Sequence, residues 1–419
     1  MKQQGCLLLL IMSLLQPFAQ VSAQDASATP STTNTTATTS NAPSSDPDIQ
    51  AIEASIQQGK VAFENDNYDT AIKHFNKAIT LAESSKHQHL RAASQVNLGN
   101  ALMEKAFQTQ GDKGLDSLNQ SIGVYRQSLQ VFTRQDKPIL WALVLNKLGF
   151  ALQTKGVYQG GEEGMKLLQE ATDSYRNSLS VRTRKDMPEE WAETNNSLAS
   201  VLHEMSNLNE PPQSDKYLQE AVDLYLLALE AVKRNDEPER WAQIQDNLGR
   251  ALWDQSMRPG LSLEIERGLL EKALELFRSA LTVRTAADYP YDYEQSMHHL
   301  AEVSNNLAFN LIDIPERKAE ARKAINEALA IHPDDPYYLD TLGWLDYHSG
   351  KPEKALTSLE KSLEIMPYSQ NAGHLIEVYW HLGKKDKARS LLDDMLKQFP
   401  DDPYLTELSR KVISSKPKN

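Results

Sequence analysis

Cysteine is nearly absent from this 419-residue chain: Cys6 is the only one. No disulfide framework and no Cys-x-x-Cys chemistry can be built from it, so the fold must rest on packing. A basic excess is also missing. The formal charge is −13, and the one basic block is the short tail Ser-Ser-Lys-Pro-Lys-Asn, so nucleic acid and anionic membrane surfaces are poor partners. Glycine-rich phosphate loops and His-Glu-x-x-His are absent too. One apolar run stands out, Cys6 to Leu15. Its ten residues are half of the roughly 20 that a membrane-crossing helix needs.

That run follows Lys2 and leads into Val21-Ser22-Ala23, which predicts a signal peptide over residues 1–23. Cys6 opens the run instead of closing it, which argues against a lipid anchor. Cleavage after Ala23 would remove the single thiol and bring the charge to −14 by removing Lys2. Residues 24–48 are dominated by Ser, Thr, Ala, Pro and Asn and bury too little to fold, so a disordered tether is expected there. It contains the sequon Asn34-Thr35-Thr36.

From about residue 49 the apolar period is helical. Ala71, Phe75, Ala78 and Ile79 mark one helix face, and it returns as Ser121/Tyr125/Ser128/Leu129, Ala171/Tyr175/Ser178/Leu179, Ala221/Tyr225/Ala228/Leu229 and Ala273/Phe277/Ala280/Leu281. The steps are 50, 50, 50 and 52 residues. From the second copy onward a preceding helix carries Leu98-Gly99, Leu148-Gly149, Leu198-Ala199 and Leu248-Gly249. A small residue there admits the ring of the second helix.

Leu-Gly on one helix, then Ala, an aromatic and Ala at +4 and +7 on the next, resembles the tetratricopeptide repeat, whose period is about 34 residues. Pro333, Pro367 and Pro400 close three such units at spacings of 34 and 33 residues. The 50-residue units resemble the long repeats of bacterial, especially cyanobacterial, tetratricopeptide proteins and of kinesin light chains. The spacing puts ten extra residues between paired helices, read as a loop that can extend the helices on either side, and six between units. The resemblance implies an all-α fold, an α-solenoid of stacked antiparallel helix pairs. The expected domains are 49–291 with the long units, 292–402 with the short ones, and a capping helix and tail over 403–419. Asp402 before Pro403 is the start signal of that cap. One long helix over about 292–313 joins the two arrays and makes their seam a candidate hinge or cleft.

Asp136/Pro138/Trp141 recurs as Asp186/Pro188/Trp191 and Asp236/Pro238/Trp241, more weakly as Asp288/Pro290/Tyr293. Asp supplies a turn and a cap oxygen, Pro opens a helix without losing a hydrogen bond, and Trp packs the new helix on the last. Asparagines follow in the same helices: Asn97, Asn146, Asn196, Asn247 and Asn306. In the resembling repeats the first helices line a concave face, where an amide can pair with a peptide backbone N–H and C=O. The same residues can instead stabilise helix contacts or face water. Trp344, Tyr347 and Trp380 form a candidate aromatic surface, although most large residues at helical spacing are core. His374, Glu377 and His381 share a helix face but lack a visible fourth ligand, so no metal and no cofactor is expected.

The sequence thus predicts an exported, non-catalytic scaffold, periplasmic or secreted, that binds a protein or an extended peptide segment with a basic or neutral character. A second copy of the chain is a further candidate partner. The alternative is an accessory protein of envelope polysaccharide export or assembly, with the aromatics contacting glycan.

Overall fold

In a computed structural model, residues 46–109 and 111–414 are described. The expected signal peptide and nearly all of the tether lie outside them. Apart from a 3-10 turn at Pro315–Arg317, their regular structure is α-helical. The helices are α1 (Pro47–Glu64), α2 (Tyr68–Ser84), α3 (Gln88–Gln108), α4 (Asp112–Ser128), α5 (Pro138–Gln159), α6 (Gly161–Leu179), α7 (Pro188–Asn207), α8 (Gln213–Ala231), α9 (Pro238–Ser256), α10 (Leu263–Leu281), α11 (Pro290–Leu311), α12 (Lys318–Ile331), α13 (Pro336–His348), α14 (Pro352–Ile365), α15 (Ser369–His381), α16 (Lys385–Gln398) and α17 (Pro403–Ser414). Odd and even helices pair in sequence, and α17 packs on the last pair. The fold is the expected all-α solenoid of helix pairs. Two compact units divide at Asn247/Leu248, inside α9. The boundary expected at 291/292 falls within α11.

Four pairs close a ring on a glycine, and α7 carries Ala199 at the same position. A Cβ built on Gly59, Gly99, Gly149 or Gly249 would come closer than 3.0 Å to the ring of Phe75, Tyr125, Tyr175 or Phe277 on the following helix. Those four rings are buried. The small residue one turn further on the second helix is buried as well, and Ser178 Oγ donates to the Ala142 carbonyl at 2.8 Å. First helices of successive pairs also touch: α1–α3, α3–α5 and α5–α7 in the first unit, α11–α13 and α13–α15 in the second. Exposed Arg–Glu pairs tie second helices together, Arg126–Glu170, Arg176–Glu220 and, in the second unit, Arg278–Glu327.

The ten extra residues lengthen the helices. Helices α3, α5 and α7 have 21, 22 and 20 residues, against 13 each in α13 and α15. The segment expected as a loop at 156–164 is almost wholly helical. It reverses at Gly160 and Gly161, whose φ of +62° and +58° favour glycine. Proline opens α5, α7, α9 and α11, as the sequence implied. The aspartate two residues earlier does not cap them. Lys137, Met187 and Tyr289 hold the cap positions without a side-chain cap bond. The Asp186 and Asp288 carboxylates instead accept from Thr183 and Thr285 hydroxyls, closing the turn before the helix. The tryptophans are part-exposed beneath guanidinium groups, Arg134 over Trp141, Arg184 over Trp191 and Arg234 over Trp241, at 5.9, 5.7 and 5.4 Å. Asp402 does start α17, accepting from Leu405 N at 3.0 Å.

Replacing Gly99 by Val should destabilise the chain by about 1–3 kcal/mol, because the Tyr125 ring occupies the added volume. Gly123 on α4 meets nothing within 4 Å, so Gly123→Ala should stabilise by roughly 0.5–1 kcal/mol. Urea unfolding followed by circular dichroism separates the two. Equal midpoints for Gly99→Val and the parent chain would show that the ring does not set the helix spacing.

Candidate functional site

In the first unit the predicted asparagines lie between neighbouring first helices. Asn97 is fully buried, and Asn146, Asn196 and Asn247 are nearly so. Asn146 Nδ2 donates to Glu193 Oε1 at 3.0 Å, linking α5 to α7. Asn247 Nδ2 donates to Asn196 Oδ1 at 3.1 Å, linking α9 to α7. Gln153 adds a bond to Ser200 at 3.0 Å. These amides join repeat to repeat, and their hydrogen-bonding capacity is turned inward.

Charges share that seam. Lys147 occupies the position held by Asn97 in the preceding repeat and is buried. Burial pushes its ammonium down to about 7; Glu193 and Glu104 oppose the shift, while Arg182 adds to it. Burial, assisted by Asp66, pushes the Glu104 carboxyl up to about 7, with Lys147 opposing. Arg182 is itself buried, donating to Thr194 Oγ1 at 2.9 Å with Glu193 at 3.6 Å.

The aromatic residues divide. Trp344 lies 3.9 Å from His374 in a stacked arrangement, with Tyr347 at 5.2 Å. Trp380 stands apart from them, beneath Lys385 and Arg389. His374 is buried with Nδ1 2.8 Å from Asp340 Oδ1. Glu377 accepts from the Tyr404 hydroxyl, and His381 meets the edge of Tyr347. Among the described residues no group of three or more His, Cys, Asp or Glu is placed to hold a metal ion.

A cleft of about 280 Å³ in the second unit brings together what the first unit hides. The long helix α11 provides Asn305, Asn306, Phe309 and Asn310; α10 provides Glu266 and Leu270; α13 provides Tyr337, Asp340 and Thr341; Tyr368 and Gln370 close the far side. Ser256 and Met257, at the end of α9, complete the rim. Asn310 Nδ2 donates to Glu266 Oε1 at 2.7 Å, orienting both. Asn305 Oδ1 is buried with no hydrogen-bond partner among the described residues. Phe309 and Tyr337 are 41% and 51% exposed, and Tyr337 lies 4.9 Å from the Tyr368 ring. Burial, then the Asp340 carboxylate, holds the Tyr368 phenol well above its ordinary value.

The lining carries two carboxylates and no Lys, Arg or His. It therefore presents hydrogen-bond acceptors and π-faces, which suit a ligand that donates. Of the five predicted asparagines, Asn306 alone lines the cleft. Phe309 and Asn310 escaped notice in the sequence because α11 has the register of both repeat lengths. An exposed Phe one turn after paired asparagines was the available signal.

The tetratricopeptide-repeat family matches residues 52–85 and 347–412. A TPR repeat-containing protein of Pseudomonas aeruginosa is 40% identical over 73 residues, which is 17% of this chain and 12% of that protein. Among solved structures the chain is similar to Pseudomonas aeruginosa pilF, at 16% identity over 64% of this chain and 99% of that one, with a TM-score of 0.39. It is also similar to a tetratricopeptide repeat protein from Parabacteroides merdae, at 14% identity over 78% and 99% of the two chains, with a TM-score of 0.37. Tetratricopeptide repeats support a protein–protein interaction scaffold and are generally non-catalytic.

The buried Glu104 and Lys147 predict a stability minimum near pH 7. Between 4.5 and 7 the folded carboxyl keeps a proton that the unfolded one loses, so stability falls as pH rises. Between 7 and 10.5 the unfolded lysine keeps a proton that the folded one loses, so stability rises with pH. Urea midpoints from pH 5 to 9 should trace this dip. Glu104→Gln should remove the acidic limb and Lys147→Met the basic limb; unchanged profiles in both variants would contradict it.

Proposed function

We propose, starting from a chain of tetratricopeptide repeats, that it is an exported scaffold of the bacterial envelope which holds an extended segment of a partner protein in the cleft of its second unit. The observation that carries this reading is the cleft lining. The Glu266 carboxylate, the Asn306 and Gln370 amides and the exposed rings of Phe309 and Tyr337 line one cleft. A lysine or arginine side chain on an extended segment complements this lining, donating to the Glu266 carboxylate and lying over the rings. Backbone groups of the segment would pair with the Asn306 and Gln370 amides. The signal-peptide pattern over residues 1–23 supports export, and the net charge of −13 supports a partner segment of opposite sign.

The test uses residues 24–419 to capture partners from envelope extract, followed by tiled peptides of the captured protein. A binding peptide should lose at least tenfold in affinity, about 1.4 kcal/mol, in Asn306→Ala, Glu266→Gln and Phe309→Ala. Replacing its Lys or Arg by Met should cost as much. Asn247→Ala should lower thermal stability and leave affinity unchanged. Affinity lost in Trp344→Ala and kept in the cleft variants would overturn the reading. Binding of envelope glycan in place of any peptide would favour the polysaccharide role.

A further inference from the structure

A second cluster of titratable groups lies elsewhere in the second unit and takes no part in the cleft. His298 on α11 faces His332, the residue that ends α12. His298 Nδ1 and His332 Nε2 are 3.4 Å apart. That is long for a hydrogen bond between nitrogens, about 2.7–3.2 Å for good N–H donors. It equals the separation, about 3.4 Å, of two ligands at a tetrahedral angle on a metal with bonds of about 2.0–2.1 Å. On the opposite side of its ring, His298 Nε2 lies 3.6 Å from Glu302 Oε1, one turn along the same helix. That is too far for a hydrogen bond, so the carboxylate acts on the His298 ring through its charge, on the side away from His332.

The surroundings fit a cation. The Tyr338 hydroxyl is buried without a hydrogen-bond partner among the described residues, and its ring lies 6.3 Å from His332. Glu302 and Asp335 both bear electrostatically on His298 and on Tyr338. Asp335 is committed to capping α13, accepting from Tyr337 N and Tyr338 N. His299, the next residue along, turns to the Phe277 ring at 5.4 Å and stays out of the site.

We propose that His298 Nδ1 and His332 Nε2 bind a divalent transition metal ion of the zinc class, with Glu302 as a neighbouring negative charge and solvent in the remaining places. Imidazole donors select zinc, copper or nickel over magnesium or calcium. Two protein ligands make the binding weak and exchangeable, unlike a closed structural site. Both ligands belong to elements that border the cleft helices, so an occupied site would pin α11 to the α12–α13 turn.

The test is calorimetric titration of zinc chloride into untagged, chelator-stripped residues 24–419. One equivalent should bind, and cobalt(II) should give the visible absorption of a tetrahedral site. His298→Gln and His332→Ala should each weaken zinc at least tenfold with unchanged helical circular dichroism, and Glu302→Gln should weaken it through the lost charge. His381→Ala should have no effect. Absence of zinc binding by the parent chain, or full-strength binding by both His298→Gln and His332→Ala, would overturn the proposal.

Discussion

Both units depend on a side chain that is not there. In four of the pairs a ring on the second helix occupies the space above a glycine on the first, closer than any Cβ would allow, and in the second unit Leu359 does the same above Gly343. Burying an aromatic side chain contributes about 1.5–3 kcal/mol, and the close approach lets the flanking Leu and Ala positions interdigitate at interior density. Because the same contact recurs at a fixed spacing, each pair presents its neighbour with the same surface. Stability is then the sum of similar local contacts and of the seams between pairs.

The seams distinguish the two units. Long first helices in the first unit extend the side-by-side contact between neighbours, and polar groups occupy it. Asn146, Asn196, Asn247 and Gln153 pair across it, and Lys147, Glu104, Glu193 and Arg182 put charge there. Buried polar groups of this kind cost desolvation, so they add less stability than apolar residues would. In exchange each amide accepts only a matching partner, which fixes the register of one repeat on the next. In the second unit, around α11, Asn306 and Gln370 line a cleft instead.

The chemistry of that cleft follows from what lines it. Carboxylates and aromatic faces are acceptors, and a donor cation is the complement they share. Specificity of this sort comes from leaving the wrong ligand with unpaired groups, more than from area buried.

Sequence alone determined the helix-pair fold, the register of the repeats, the proline starts and the cap at Asp402, because each depends on residues within one or two helical turns. It did not determine which way the asparagines face. Asn97 and Asn306 belong to the same column of the repeat, yet one is buried and the other lines a cleft. Nor did it reveal that Arg182 and Arg284 are buried where Phe132 and Val232 lie in neighbouring repeats, or that inserted residues such as Gly156 and Val157 continue a helix. Only the tertiary structure decided these points. Exposure of a side chain depends on how closely the next helix approaches, and that distance is set by residues about 50 positions away.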